Sequence, residues 1–244
     1  MSTHISDLLR PDGRLLVRSS AGWTAEAAAD AARLAERRAA SALAHIDEES
    51  SAEHAVLLAA GFVESRRQAV VAISVDPALV ALGGAALPPG IELRSAADVD
   101  EDRLRLLDDE LREDTPGTSG WRSTPEEFRE HTFADPAFDP KTYLVAVDGE
   151  SGDYVGLVRI WMNQGGPRLG LIAVRREHRR RGIASALVAR ALEAVRAMGA
   201  SEMTLEYDLE NDASRTLFER LGACRLGIRI EFVYEPQKDT TGVG

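Results

Sequence analysis

Residues 179–184 read Arg-Arg-Arg-Gly-Ile-Ala, and this short basic segment has the clearest chemical signature in the chain. It lies between an apolar run, 169–174, that predicts a buried strand and a run whose apolar residues recur at helical spacing from Ala184 to Val195. A loop that leads from a strand into a helix presents unpaired amides, and the positive end of the helix dipole, to one point. Gly182 lets a ligand approach the backbone closely because it has no Cβ. The pattern therefore predicts a phosphate-binding site.

Other readings of this segment are a solvated loop or a nucleic-acid-binding patch, since arginine occupies positions 175, 176, 179, 180 and 181. The nucleic-acid reading is disfavoured because the chain carries 40 acidic and 29 basic residues, a net charge of −11. In addition, no aromatic residues are interleaved with the arginines to stack on bases. A P-loop is excluded because no Gly-Lys-Ser/Thr follows. The phosphate of a small ligand is the favoured interpretation.

The loop resembles the pyrophosphate-binding loop of the GNAT superfamily of acetyl-CoA-dependent N-acetyltransferases, whose pattern is Arg/Gln-x-x-Gly-x-Gly/Ala. Arg179, Gly182 and Ala184 fill the three fixed places. Downstream, residues 205–211 (Leu-Glu-Tyr-Asp-Leu-Glu-Asn) look like the fifth strand of that family and the Asn that begins its next helix. The resemblance covers roughly residues 90–235. It implies an α/β (α+β) GNAT fold, with a mixed, mostly antiparallel central sheet that is splayed at the coenzyme site and flanked by helices.

The resemblance also implies which residues hold acetyl-CoA. The pyrophosphate would lie on Arg179, Arg180, Arg181, Gly182, Ile183 and Ala184, and the pantetheine arm would pair like an added strand with the backbone of Ile172, Ala173 and Val174. The amide of Val174 or of one of its neighbours would polarise the thioester oxygen. Asn211 is expected to begin its helix and to contact the pantetheine. Phe218 stands where the family commonly has a Tyr that protonates the leaving thiolate, so the general acid is left open between Tyr207, water and unassisted departure.

Glu206 is the candidate general base. It lies five residues before Asn211, which is the spacing found in the ribosomal-protein alanine acetyltransferases of this superfamily. A carboxylate in the cleft could take a proton from an ammonium group, directly or through water. Asp208 shares the same face by period-two alternation and is the second candidate. The alternative is that Glu206 merely faces solvent on a half-exposed strand.

An acidic run at 107–117 bears on the acceptor. A carboxylate-lined rim to which Asp114 contributes would suit a cationic amine, although such a run is also typical of a solvated helix face. Trp121, Trp161 and Asn163 are expected to line the same cleft. The predicted activity is acetyl transfer from acetyl-CoA to a primary amine of a small cationic molecule, by direct attack in a ternary complex. Antibiotic, polyamine, amino acid and peptide acceptors all stay open, as do protein N-terminal or lysine acetylation and an inactive coenzyme-binding regulator.

The elements that must position these residues follow from the apolar periodicity. Residues 90–236 predict the order β-α-α-β-β-β-α-β-α-β, which is the expected catalytic domain. The Pro- and Gly-rich stretch 77–89 predicts a linker, and 237–244 a flexible tail. Residues 1–76 repeat the second half of the order and look like a degenerate, partial GNAT-like module. Without gaps, its loop lacks glycine at the place of Gly182 and has Trp23 at that of Ala184. An unrelated α/β extension is the alternative.

Composition limits the setting in which the protein works. The single cysteine, Cys224, excludes an intramolecular disulfide and is expected to pack as a small apolar residue. The first ten residues have no apolar stretch typical of a signal peptide, and no run approaches membrane-spanning length. We therefore expect a cytoplasmic enzyme, monomeric or homodimeric, that acts on a small-molecule amine and binds no metal, nucleic acid or membrane.

Overall fold

The computed structural model describes residues 5–237, and its contacts divide the chain into two compact units. Unit 1 comprises the described residues up to Ala69 and those from Gly227 onward, and unit 2 is Val70–Leu226. The chain passes between the units within two long strands, β4 (Val63–Ser74) and β10 (Cys224–Tyr234). The predicted flexible tail lies outside the described residues except for Gln237.

Unit 1 is a sheet with two helices on one side. Its strand order is β1-β2-β3-β10-β4, with parallel pairing of β2 and β3 and antiparallel pairing of β1 with β2 and of β3 with β10. The elements that complete it are β1 (Ile5–Leu9), β2 (Leu15–Ser19), α1 (Ala25–Arg38), β3 (Ala42–Asp47) and α2 (Ser51–Ala59). Its buried residues include Leu43, Ile46, Leu57 and Phe62, and Val56 is partly buried.

The first turn of helix α1 explains where the helix begins. The Thr24 hydroxyl accepts a hydrogen bond from the Ala27 amide at 3.2 Å, which satisfies one donor that the helix cannot satisfy itself. The ungapped overlay of the two halves needs a correction here. Helix α2 and its counterpart 212–220 differ by a constant offset of 161, whereas α1 and its counterpart, which begins at Ile183, differ by 158. Thr24, not a residue of 18–23, therefore occupies the place of Gly182.

Unit 2 contains a larger mixed sheet of order β4-β9-β8-β7-β6-β5. The strands β5, β6, β7 and β8 pair antiparallel in succession, and β8 pairs parallel with β9. The strands are β5 (Ile91–Ser95), β6 (Tyr143–Asp148), β7 (Tyr154–Asn163), β8 (Gly166–Val174) and β9 (Glu202–Asp208). The helices are α3 (Val75–Leu82), α4 (Glu101–Arg112), α5 (Pro125–Glu130), α6 (Ile183–Ala197) and α7 (Asp212–Arg220). The predicted fold class is confirmed, and so is the order of elements after residue 90.

The helices of unit 2 cover both faces of its sheet. Tyr143, Val145 and Val147 alternate along β6 and pack in a core with Leu104 and Leu107 of α4. Because successive strand residues point to opposite faces, the residues between them face the other side, where α6 contacts β6, β7 and β8. Helix α5 begins at a capping box, which is formed by two reciprocal hydrogen bonds between Thr124 and Glu127.

Three local interpretations differ from the structure. The first part of the predicted linker belongs to α3, whose buried residues are Val75, Ala78 and Leu82. Pro77 lies in the first turn of that helix, where its missing N–H costs no hydrogen bond, so it does not break the helix. The strand β1 was not predicted. Cys224 is exposed as the first residue of β10 and does not pack in the core.

Candidate active site

Strands β8 and β9 separate toward their carboxyl ends. In the part of the chain that the structure describes, their ladder has one registered pair, Arg168 with Thr204, near the start of both strands. On its other edge β8 stays paired with β7 as far as Val174, which is opposite Gly156. We call the space between β8 and β9 beyond Arg168 and Thr204 the cleft. It is the splay that the family resemblance implied, and 172–174 form one of its walls.

The backbone of Val174 faces the cleft. The Arg175 amide donates to the Val155 carbonyl at 2.9 Å, so the backbone groups of Arg175 point toward β7. Successive residues of a strand alternate in this respect, and those of Val174 therefore point away from β7. The Arg179 Nε–H in fact donates to the Val174 carbonyl at 2.8 Å. The amide of Val174 lies on the side that the predicted oxyanion role requires.

The loop between β8 and α6 leaves the start of α6 open. Arg180 and Gly182 have positive φ values, 62° and 87°, and no side chain of the described residues caps the helix. Gly182 is the N-cap residue, and the first hydrogen bond of the helix runs from the Ala186 amide to the Gly182 carbonyl. The amides before Ala186 in the first turn therefore have no partner within the helix. A Cβ at Gly182 would have no atom within 4 Å. An anion can therefore reach these amides.

The acidic run of α4 is paired with the arginines of this loop. Asp114 accepts hydrogen bonds from Arg176 (Nε to Oδ2, 2.8 Å) and from Arg179 (2.6 Å), and Arg175 donates to Glu110 at 2.7 Å. The hydrogen bonds from Arg176 and Arg179 hold the pKa of Asp114 well below its usual range. Asp114 thus lies against the loop before α6 rather than on an open acidic rim.

A second ionic cluster joins α4 to β7 beneath the surface. Asp108 accepts a hydrogen bond from Arg112 and lies 3.3 Å from a guanidinium nitrogen of Arg159, and all three side chains are buried. Burial raises the pKa of Asp108, but the two guanidinium groups outweigh it and hold that pKa below its ordinary value. The Arg112 guanidinium also stacks on the ring of Trp121, 4.2 Å from its centroid. Trp121 is consequently held by α4.

Glu206 and Asp208 lie on the same face of β9, as predicted, but their surroundings differ. Glu206 is half-buried and its Oε1 is 3.6 Å from a guanidinium nitrogen of Arg168 on β8. Asp208 is buried, and its Oδ1 accepts a hydrogen bond from the Glu210 amide at 2.9 Å, which closes the turn before α7. This contact gives Asp208 a structural function. β9 has two acids beyond its last registered pair with β8, Glu206 and Asp208. Of these, Glu206 is the one with a partly exposed side chain.

Trp161 lies beside Arg168, the ion-pair partner of Glu206. It is the registered partner of Arg168 across β7 and β8, so their side chains share a face. Its indole covers Gly170, where an added Cβ would be 2.6 Å from the indole nitrogen. Asn163, by contrast, is exposed at the β7–β8 hairpin and pairs with Gly166. With about 3.3 Å per residue, it lies about 26 Å along β8 from Val174.

The two predicted coenzyme contacts on α7 have structural partners. The Asn211 side chain accepts a hydrogen bond from the Ser214 amide at 3.0 Å and caps the helix, as expected. Phe218 is buried and stacks on Tyr207, with ring centroids 5.8 Å apart. Tyr207 itself is buried on the face of β9 opposite Glu206.

Arg168 is the site residue that sequence reasoning missed. Its proximity to Glu206 depends on the parallel register of two strands that are separated by a whole helix. The sequence offers one indirect signal, an arginine in an otherwise apolar strand that has no acid of its own.

Comparison with known proteins identifies the class of domain. Residues 104–223 match the family model described as acetyltransferase (GNAT) family. A curated relative, N-alpha-acetyltransferase 30 of Schizosaccharomyces pombe, is 37% identical over 57 residues, which are 23% of this chain and 38% of that protein. The chain thus matches well under half the length of this relative.

Solved structures of similar fold extend over nearly the whole chain. A GCN5-related N-acetyltransferase from Sphaerobacter thermophilus has a TM-score of 0.73 at 21% identity. The match covers 99% of this chain and 80% of the Sphaerobacter chain. A tandem GNAT protein from the clavulanic acid biosynthesis pathway has a TM-score of 0.67 at 17% identity, covering 98% and 85%. A GCN5-related N-acetyltransferase from Kribbella flavida has a TM-score of 0.64 at 16% identity, covering 98% and 90%.

Residues 104–223 thus match the model of the GNAT acetyltransferase family, and the chain shares the fold of solved proteins described as GNAT acetyltransferases. This family uses acetyl-CoA as acyl donor, and the open amides before α6 and the cleft beside Val174 fit that coenzyme. Among residues 5–237, no helix is both long and apolar enough to cross a bilayer.

Proposed function

We propose that this chain transfers the acetyl group of acetyl-CoA to the primary amine of a small molecule, by direct attack in a ternary complex, with Glu206 as general base. The observation that carries the proposal is the position of Glu206. It is a half-buried carboxylate on the strand that borders the cleft, two residues beyond the last pair between β8 and β9.

Separate groups around the cleft bind the coenzyme, stabilise the thioester oxygen and remove the proton of the amine. The loop arginines and the amides before α6 bind the pyrophosphate, and the backbone of 172–174 orients the pantetheine arm. The Val174 amide donates to the thioester oxygen as it gains charge. Glu206 takes the proton of the ammonium group, so that the amine can form the new C–N bond while the C–S bond breaks. Coenzyme A leaves as a thiolate and is protonated by water, since Phe218 has no proton to give.

The acidic run gives no support to a cationic acceptor. Asp108, Glu110 and Asp114 each form an ion pair with arginine, and Asp109 accepts a hydrogen bond from the Ser123 amide. Their charge is largely balanced within the protein. The proposal is therefore limited to a small primary amine, without a requirement for a second positive charge.

An amine panel tests this function. The purified chain is incubated with acetyl-CoA and single amines drawn from polyamines, aminoglycosides, amino acids and short peptides. Release of free thiol is recorded, and the product is checked by mass for one added acetyl group. Amine-dependent thiol release with at least one small amine is expected. Turnover restricted to peptides would favour protein acetylation, and coenzyme binding without turnover would favour a regulator.

Acetylation of a protein N-terminus is the second candidate. It is favoured by the 57-residue match to a yeast N-alpha-acetyltransferase and by the spacing of Glu206 and Asn211. For unit 1 we propose a degenerate module that binds no coenzyme. Its Trp23 amide donates to the Glu53 carboxylate at 3.2 Å, and Thr24 caps α1, so an acid and a hydroxyl hold the donors that a phosphate would need.

A further inference from the structure

The pairing of Arg168 with Glu206 bears on the chemical class of the acceptor. The Arg168 side chain is 45% exposed and that of Glu206 15% exposed, and the 3.6 Å between them is an ion pair but too long for a strong hydrogen bond. A base that serves only to deprotonate an amine needs no cation beside it. An exposed guanidinium at this place offers paired donors that match a carboxylate.

Resting on the proposed function, we propose that the acceptor is an α-amino acid, whose carboxylate binds Arg168 while its amine is deprotonated by Glu206. The N–Cα and Cα–C bonds of an amino acid, about 1.5 Å each, place its nitrogen about 2.5 Å from its carboxyl carbon. Glu206 and Arg168 are separated by a comparable distance, 3.6 Å. The four charged groups then alternate in sign around a small ring, so each cation contacts two anions.

The Trp161 indole would form a wall of the pocket that takes the side chain of this amino acid. The Arg159 guanidinium lies 4.9 Å from the centre of the Trp161 ring and is itself paired with Asp108 at 3.3 Å, which fixes the ring. The indole covers Gly170, the only type of residue that leaves room for it there. An apolar wall next to Arg168 favours amino acids with apolar side chains over charged ones.

The balanced reaction follows from these contacts. The α-ammonium group loses a proton to Glu206, and its nitrogen forms a bond to the acetyl carbon while the bond from that carbon to sulfur breaks. The nitrogen then loses a second proton, which the departing thiolate takes up through water. The products are an N-acetyl amino acid, coenzyme A and one proton, which Glu206 returns to solvent. The carboxylate of the acceptor takes no part in bond making and serves only to position the amine.

A set of three matched acceptors tests the inference: an L-amino acid with an apolar side chain, its amide, and the amine that lacks the carboxyl group. We expect the wild-type kcat/KM for the acid to exceed that for the amide roughly 10–100-fold, the effect of one charged hydrogen-bonded pair. Arg168→Gln should reduce this ratio to near one. Arg168→Lys should keep part of it because the charge is retained.

Arg190→Gln is the matched control, since Arg190 is an exposed arginine of α6 that pairs with Glu193. It should leave the ratio unchanged. The thermal shift caused by acetyl-CoA shows whether each variant is folded. Equal use of acid and amide by the wild type, or an unchanged ratio in Arg168→Gln, would overturn the amino-acid assignment while acetyl transfer stands. Absence of turnover with all three acceptors and with the wider amine panel would overturn the proposed function as well.

Discussion

Glu206 and Arg168 stand on neighbouring strands with opposite charges, whereas Asp208, two residues further on, is tied into a turn. This difference in surroundings separates two acids that are equivalent in the sequence pattern. The Asp208 carboxylate closes a turn and loses its hydrogen bond to the backbone if it moves, whereas Glu206 occupies a partly exposed strand position beside Arg168. At the scale of single residues, the contacts therefore favour Glu206 as the base.

Replacing Glu206 by Gln should lower kcat at neutral pH by roughly 10²–10⁴-fold, because the amide cannot accept the proton of the ammonium group. The thermal shift caused by acetyl-CoA should persist, since the side chain is not part of the pyrophosphate loop. The measurement is thiol release with the best amine of the panel.

Asp208→Asn is the matched control for that variant. Asn keeps an oxygen that can accept the hydrogen bond from the Glu210 amide, so its effect on kcat should be the smaller of the two. If Asp208→Asn were the more damaging change while the protein stayed folded, the role of base would pass to Asp208.

Helix α4 shows how one element can connect a core to a binding loop. The apolar residues Leu104, Leu107 and Leu111 pack on the sheet. The acids of this region form ion pairs with arginines. Asp108 binds arginines of α4 and β7, and Glu110 and the nearby Asp114 bind arginines of the loop before α6. Helix α4 therefore holds the loop arginines in place, which means that the sheet core and the loop before α6 are supported by the same helix.

The replacement Asp108→Asn should destabilise the protein by about 3–5 kcal/mol, because it leaves the buried Arg112 and Arg159 without their counter-ion. The folded-state pKa of Asp108 is lowered, so its contribution is complete above the unfolded value of about 3.9 and is lost as the pH falls below that value. The difference in unfolding free energy between wild type and variant should thus be constant from pH 5 to 8 and shrink below about pH 4. Urea unfolding at several pH values measures it.

Asp109→Asn tests whether the effect belongs to the ion cluster. Asp109 is the neighbour of Asp108 on α4, and burial raises its pKa. Asparagine can still accept the hydrogen bond from the Ser123 amide, so the loss should stay within about 1 kcal/mol. Equal losses for the two variants would contradict the assignment.

The start of α6 gives the second prediction at the scale of an element. Gly182→Glu should abolish the rise in melting temperature caused by acetyl-CoA, because it sets a side chain and a negative charge against the pyrophosphate site. In the wild type, ligand at 100 times its Kd would stabilise the fold by about 2.7 kcal/mol.

Gly199→Glu is its matched control at the other end of α6. Both glycines have positive φ, 87° and 85°, and neither has an atom within 4 Å of an added Cβ. The two variants therefore have comparable backbone strain and the same added charge. A thermal shift that survives in Gly182→Glu, or disappears in both variants, would remove the loop from the proposed site.

At the scale of the whole chain, the two units contain the same strand–helix–strand–helix–strand succession with different chemistry at equivalent places. With the offset of 161 residues that relates α2 to α7, His45 of unit 1 is at the sequence position equivalent to Glu206 of unit 2. In unit 1 the Trp23 indole donates to the His45 carbonyl of β3 at 3.2 Å. A side chain of unit 1 therefore occupies a backbone group of β3, the strand that pairs parallel with β2. Unit 1 therefore offers neither an open helix start nor a free strand edge at this position.

Titration calorimetry should accordingly give one acetyl-CoA per chain, and the Gly182→Glu variant should show no binding. Trp23→Phe removes the indole donor of unit 1 and keeps an apolar ring, so the stoichiometry should stay at one. A wild-type stoichiometry of two would contradict the proposal that unit 1 binds no coenzyme.

Local signals were sufficient for many elements. The capping box at Thr124, the helix 25–38 and the strand-to-helix loop at 179–184 depend on residues a few positions apart, so they can be recognised in one sequence. Predictions failed where a local rule had two outcomes. Pro77 breaks a helix interior but is tolerated in a first turn, and only the surroundings of Val75 and Ala78, which are buried, decide between the two.

By itself the sequence determined the class of loop, the order of the elements and the face that Glu206 shares with Asp208, because helix and strand periodicities fix them locally. The tertiary structure decided which charges meet. Arg168 lies 38 residues before Glu206, and Asp114 lies more than 60 residues before Arg176 and Arg179. Such pairs depend on strand register and helix placement, which are set by the packing of the whole unit. For this reason the acidic run predicted an open rim, whereas in the folded protein it binds arginines of the loop before α6.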